Sequence, residues 1–244
     1  GYVGRWLIYR WVLPRCTHVF VQSERMREDV AARGTPPART TAVPMGVDLE
    51  RPLPGGGAAV DDERLRGKQV IAYLGSLDKP RRLEFLIDML RHTAATLPDA
   101  MLLMIGDGPL PEDRVRLERH AVVQGVADRV VWTGWLPSDQ AWRWLARADL
   151  AVHLMPRGEL YDSASPTKVV EYLALGIPVV SNDQPDAVQV LGDSGAGIST
   201  AMELETFSAA VRRVLEDPTL AASMRRAGPA WVAARRSYAQ IADE

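Results

Sequence analysis

Residues 165–182 read SPTKVVEYLALGIPVVSN, and the order of their physical properties decides the fold. Pro166 suits the first turn of a helix, where its missing N–H would have had no partner. Thr167 and Lys168 follow with free N–H groups at the positive end of the helix dipole, and Lys168 adds a full charge. Val169, Val170, Leu173 and Ala174 recur at helical spacing and can face a core. Gly176 ends the helix, and Ile177–Val180 is a short apolar run suited to a parallel strand covered on both faces. Glu171 lies one turn inside the helix start. Phosphate at the start and a carboxylate one turn further in can together hold the phosphates and ribose hydroxyls of a nucleotide. A proline-initiated helix with an ordinary surface glutamate is the plainer reading of the same residues.

Working outward, strands and helices alternate from Gln69 onward. The pattern predicts strands at 70–75, 100–106, 129–134, 149–155 and 177–182. It predicts helices near 82–96, 112–125, 138–147, 166–175, 203–216 and 229–242. Apolar runs alternating with amphipathic helices indicate an α/β protein with a doubly wound parallel sheet. Ligands of such sheets bind beyond the carboxyl ends of the strands, which here means the loops 75–82, 106–111, 134–139, 155–167 and 182–186. Upstream, HVFVQ (18–22) reads as a strand, Ser23 as the cap of a helix running to about Arg33, and 41–44 as a second strand. A Pro/Gly stretch over 51–57 is too poor in core-forming residues to join a sheet. The first segment, YVGRWLIYRWVL (2–13), fits either a membrane surface or burial against a further domain.

A length of 244 residues can bury one large domain or one and a half ordinary ones. The formal charge of −2 gives no reason to expect a nucleic-acid partner. Cys16 is the only cysteine, which excludes an internal disulfide and points to a cytoplasmic setting. No apolar run approaches the roughly eighteen residues of a membrane span, and no signal peptide is recognisable. The chain starts at Gly1 rather than Met, so a fragment or a processed product is expected.

In GSLDKPRRLEF (75–85), Lys79, Arg81 and Arg82 cluster in a strand-end loop, where guanidinium forks match the oxygens of a diphosphate. A solvated basic helix start is the alternative. IGDGPLPED (105–113) is a glycine turn, weak evidence by itself because such turns use glycine for positive φ. Trp135 suits stacking or core packing equally, and His153 reads as a satisfied core residue. No residue spacing calls for a metal.

EYLALGIPVV (171–180) resembles the donor-binding motif of the nucleotide-sugar-dependent retaining glycosyltransferases of the GT-B fold, the group 1 family. That pattern places an acid at 163 and a second at 171. Glu171 matches, but Ser163 stands at the first position, with Glu159 and Asp162 nearby and out of register. The pattern also places Arg after the first glycine and Lys five residues on, where this chain has Ser76 and Arg81. The resemblance implies a remnant of the amino-terminal acceptor domain and hinge over 1–50 and a linker over 51–67. It implies a donor-binding domain, the Rossmann-like half of a GT-B fold, over 68–228 and a crossover helix over 229–244.

It further implies that Arg81 and Glu171 are the catalytic candidates. Gly75, Ser76, Lys79, Arg82, Gly106, Gly108, Val131, Trp132, Asp162, Ser163, Ser165, Pro166, Thr167 and Lys168 would bind the donor. Gly106 and Gly108 would admit base and ribose to the backbone, Val131 and Trp132 would read the base, and Asp162–Ser163 would meet the sugar. The partners are then a UDP- or GDP-linked sugar and a carbohydrate or lipid-linked acceptor, without a metal, a further cofactor or nucleic acid. Surface polysaccharide or glycolipid assembly, in the cytoplasm with peripheral association at the inner membrane, is the expected setting. With most of the acceptor half absent, the chain by itself is not expected to turn over. The alternatives are a non-catalytic nucleotide-binding or partner subunit of the same fold and a sugar-nucleotide epimerase. A dinucleotide dehydrogenase is disfavoured, because the loop after Gly75 lacks the glycine fingerprint.

Overall fold

In the computed structural model, which describes residues 2–49 and 59–243, two parallel sheets organise the chain. The smaller lies at the amino-terminal end. Helix α1 (Tyr2–Leu7) runs on through a π-helical turn over Ile8–Val12 and a 3₁₀ turn over Leu13–Arg15 to β1 (Val19–Val21). Ser23 caps α2 (Glu24–Ala32), its hydroxyl accepting from the Met26 N–H at 3.1 Å. Strand β2 (Thr40–Ala42) then lies parallel to β1, with Val19 opposite Thr40. Trp6, Leu7, Ile8, Trp11 and Val12 remain exposed.

The larger sheet is built from β3 (Gln69–Leu74), α3 (Glu84–Ala94), β4 (Ala100–Ile105), α4 (Pro111–Val123), β5 (Val130–Trp132), α5 (Ser138–Leu145) and β6 (Leu150–His153). It continues through α6 (Glu159–Asp162), α7 (Thr167–Ala174), β7 (Val179–Asn182), α8 (Pro185–Ser194) and β8 (Gly197–Thr200). Helices α9 (Leu204–Glu216), α10 (Pro218–Arg235) and α11 (Tyr238–Asp243) complete the chain. The strand order is β5-β4-β3-β6-β7-β8, all parallel. Alternation along the strands feeds two cores. Val70, Ala72, Leu103 and Ile105 face one side with α7, whereas Ile71, Tyr73, Leu102 and Met104 face the other with α3 and α9.

Several expectations need correction. Helix α8 and strand β8 were not anticipated: Gly192 interrupts the helical pattern, and GIST is a half-buried edge strand with one strong apolar residue. The basic residues of the 75–82 loop do not start a helix; they form a 3₁₀ turn over Lys79–Arg81, and α3 begins at Glu84, an acid that suits the dipole. Pro166 occupies the N-cap of α7 rather than its first turn. Of the linker expected over 51–67, residues 51–58 lie outside the described residues. From Val60, whose N–H donates to Arg143 O at 3.2 Å, the chain is packed, and Leu65 is fully buried.

The helix expected from 229 is instead the second half of α10, with Pro229 inside it. The crossing with α7 explains why a proline is tolerated there. A Cβ on Gly228 would lie 2.7 Å from Leu173 O, so the helices touch backbone to backbone. Pro229 leaves Arg225 O without its helical donor, and Gly176, at the end of α7, packs on that carbonyl. Gly176 itself has φ +67 and closes α7, with its N–H donating to Leu173 O at 3.0 Å and the Ile177 N–H to Tyr172 O at 2.9 Å.

Candidate functional site

Strand order reverses between β3 and β6, and the crevice beyond their carboxyl ends is where such sheets bind ligands. Beside it, a cleft of about 630 Å³ is lined by Gly75, Ser76, Gly106, Gly108, Trp135 and Leu136, among others. Gly75 is the wall it shares with the start of α7. A Cβ on Gly75 would stand 2.5 Å from Lys168 Nζ.

Lys168 keeps some exposed surface, but its ammonium lies 4.7 Å from the centre of the Tyr73 ring and 3.5 Å from the phenol oxygen. Burial, followed by the nearby Arg81 charge, pushes its pKa down to about 7, with Glu171 and Asp78 pulling the other way. Arg81 donates from Nε to Asp78 Oδ2 at 3.3 Å, while its Nη1 is buried with no partner among the described residues. Burial raises the Glu171 carboxyl above the ordinary range, against the pull of Lys168. Arg81, Lys168 and Glu171, expected to act together, are thus brought together.

Other expected residues are placed differently. Lys79 and Arg82 are exposed on the rim, and Arg82 has φ +54, the one non-glycine residue with positive φ among those described. The glycines at 106 and 108 are explained by the protein's own packing. A Cβ at 106 would meet Gly75 O at 2.2 Å, and one at 108 would meet Asp113 Cβ at 2.3 Å. Trp132 and the buried Val131 do not line the cleft. Thr133 N–H donates to Met104 O, and alternation turns the Val131 backbone the same way, into the β4 ladder. Trp135, 75 % exposed, forms that wall.

Asp162 accepts from Arg157 Nε and Nη2 at 2.7 and 3.1 Å, and Arg157 depresses its pKa. Glu159 pairs with Arg5 and Arg33. The Ser163 hydroxyl donates to Glu159 O at 3.3 Å, and its carbonyl accepts from Ser23 Oγ at 2.7 Å. His153 is satisfied on one side only. Ser181 Oγ donates to Asn182 O, so Nδ1 of His153 is the donor to Ser181, and Nε2 has no partner among the described residues. Burial, with Lys168 and Arg81 adding to it, lowers its pKa well below the usual value and keeps the ring neutral.

Some contributors were not singled out from the sequence. The Tyr172 hydroxyl accepts from the Leu74 N–H at 2.9 Å and so holds the end of β3 just before Gly75. A tyrosine on a buried helix face needs a partner for its hydroxyl, and that was the available signal. Tyr73 donates to Ser76 O at 3.1 Å. A second set of contributors is the polar segment Asn182–Asp186, whose side chains reach the 155–165 loop.

Residues 68–217 match the family described as glycosyl transferases group 1, and residues 2–51 match glycosyltransferase family 4. The chain is 27 % identical over 236 residues to the 2-deoxystreptamine glucosyltransferase of Streptomyces kanamyceticus, covering 93 % of this chain and 58 % of that protein. It is 30 % identical over 215 residues to the GDP-mannose-dependent alpha-(1-6)-phosphatidylinositol monomannoside mannosyltransferase of Mycolicibacterium smegmatis, covering 86 % and 56 %. The chain therefore spans just over half the length of these curated relatives. Among solved structures, Anabaena HepE in complex with UDP-glucose superimposes with a TM-score of 0.80 at 17 % identity, covering 98 % of this chain and 65 % of that one. That likeness shows the fold, the Rossmann-like α/β architecture of GT-B glycosyltransferases. Among the described residues no helix is long and apolar enough to cross a membrane. With more than half of its residues matching one family, the chain belongs to the glycosyl transferases group 1 family.

Proposed function

We propose that this chain supplies the donor half of a retaining glycosyltransferase that moves a sugar from a nucleoside-diphosphate sugar to a carbohydrate or lipid-linked acceptor. The observation that carries this reading is a concentration of positive charge beside the sheet's switch point: Arg81, whose buried Nη1 has no partner among the described residues, lies near enough to Lys168 to lower its pKa. A diphosphate leaving the anomeric carbon gathers negative charge as the C–O bond breaks. Lys168, Arg81 and the first amides of α7 are donors preorganised to neutralise that charge. Glu171, one turn along α7, would accept from the ribose hydroxyls, and Trp135 would pack against the base in the adjoining cleft. The acceptor hydroxyl would then bond to the carbon on the face the diphosphate left, its proton passing to the departing diphosphate.

The test is thermal unfolding with UDP, GDP, ADP and NAD in parallel, on the wild type and on Glu171→Ala. A ligand at a hundred times its Kd adds about 2.7 kcal/mol, a midpoint shift of about 5–10 °C at this chain length. A shift with one nucleoside diphosphate that is lost in the variant supports the assignment and names the base. No shift with any of the three nucleoside diphosphates overturns it.

A further inference from the structure

The loop from Met155 to Ser165, which leads into α7, has almost no regular structure beyond the single turn α6. Such a backbone needs partners for its polar groups. For Met155, Tyr161 and Ala164 they come from one short stretch, Asn182–Asp186, whose side chains meet the loop in order. Asn182 meets both polar groups of Met155: its Oδ1 accepts from the N–H at 2.8 Å, and its Nδ2 donates to the carbonyl at 2.8 Å. Asp183 accepts from Arg157 through its carbonyl and Oδ2, both at 3.1 Å. Gln184 Nε2 donates to Tyr161 O at 3.1 Å and Ala164 O at 2.8 Å, while its Oε1 caps α8. Asp186 Oδ2 accepts from Ser165 Oγ at 2.9 Å. Asn182 and Gln184 are fully buried, and Asp186 nearly so.

Arg236, at the end of α10, closes the arrangement. It donates to Asp186 Oδ1 at 3.1 Å, to Met45 O at 3.2 Å and to Ser165 Oγ at 3.4 Å, while the Met45 N–H donates to Ser165 Oγ at 3.1 Å. This ion pair has side chains only 8 % and 6 % exposed. Removing two charges from water offsets most of their attraction, so stability alone gives little reason for such a pair in place of apolar residues. What it adds is direction: Ser165 Oγ accepts two hydrogen bonds and donates one, and each oxygen of Asp186 has a donor, which ties the end of the loop to one geometry.

We propose that Asn182–Asp186, with Arg236, is a positioning template that fixes the 155–165 loop and thereby sets where the first amides of α7 and Lys168 meet the donor's diphosphate. The proposal rests on the reading of the site as a nucleoside-diphosphate site. Their role is positioning: they act through Ser165 and the turn that follows it.

The test uses Asp186→Asn, which keeps the shape but removes the charge, Arg236→Lys, which keeps the charge but loses the fork, and their combination. Two readouts are taken on each: hydrogen exchange at the amides of 165–170, with the β4 amides as reference, and calorimetric titration with UDP and GDP. Exchange at 165–170 is expected to quicken while β4 stays as in the wild type. Affinity for the nucleotide that binds wild type is expected to fall about tenfold. The double variant should be no worse than the weaker single one, because the pair acts as a unit. Unchanged exchange at 165–170 overturns the template whatever the nucleotide does. Faster exchange with unchanged affinity overturns its positioning role. If wild type binds neither nucleotide while exchange still quickens, the functional reading fails and the clamp on the loop stands.

Discussion

The two turns that frame the candidate site are held by opposite means. The 75–82 turn is held chiefly by shape, with local bonds from Tyr73 to Ser76 O and from Arg81 to Asp78. Gly75 and Gly106 let two strand ends come together without side chains between them, and Arg82 closes the turn in a strained left-handed conformation. The 155–165 loop is held by hydrogen bonds from side chains of a different loop. A shape-held turn fails when an atom is added. A template-held one loosens when a donor or acceptor is removed, and the rest of the fold remains.

That contrast can be broken most directly at Gly106. Gly106→Ala forces a Cβ to within 2.2 Å of Gly75 O at φ +128. It is expected to cost about 3 kcal/mol or more, a fall in Tm of roughly 6–12 °C, read by thermal denaturation. A near-wild-type Tm would show that the first turn yields as readily as the second.

Lys168→Met, on the template side, should leave the fold intact and weaken nucleoside-diphosphate binding by about 10- to 100-fold, the worth of a lost charge-assisted contact. It should also change the pH dependence. With a folded pKa of about 7 and a higher unfolded value, the unfolded state binds more protons in between, so this group makes wild-type stability rise from about pH 7 toward pH 10. Denaturant titrations across that range should show a shallower rise in Lys168→Met.

A finer measurement concerns the proton itself. A diphosphate beside Lys168 favours the ammonium form, so calorimetry at pH 8 in buffers of different ionisation enthalpy should report net uptake of up to about one proton. No uptake would mean that Lys168 is already fully charged, or that the diphosphate lies elsewhere. Smallest of all, Arg82→Gly removes the left-handed strain and should add about 1 kcal/mol of stability. Its loss of affinity should be smaller than that of Lys168→Met.

The same contrast explains what the sequence disclosed. Glycines, prolines and clustered charges mark a shape-held turn locally, so the basic cluster around Arg81 and the helix after Ser165 could be read from residue types, although Pro166 caps that helix rather than opening its first turn. The alternation of apolar runs also gave the sheet from β3 to β7. Missed were features defined by distant partners. Asn182, Gln184 and Asp186 look like ordinary loop residues until the 155–165 backbone lies beside them, and β8 has too little apolar character to stand out. Gly106 and Val131 carry a related lesson. The family resemblance gave both a ligand role, and the structure shows a close backbone approach at Gly106 and a strand ladder at Val131 that engage them within the protein itself.

Strand order also bears on how the molecule comes into being. Strand β3 finds β4 after one short crossover, but its other neighbour, β6, must return from 79 residues away, as the bond from the Val70 N–H to Asp149 measures. Closing the longer loop is the slower event. The half from β3 to β5 is therefore expected to gain protection first in pulse-labelled refolding, with β6 to β8 following. Equal protection of β4 and β7 amides at the earliest times would refute that order. Because the crevice lies on the seam between the halves, a nascent chain would acquire its ligand site only at the last docking step, and a nucleotide could select for chains that have completed it.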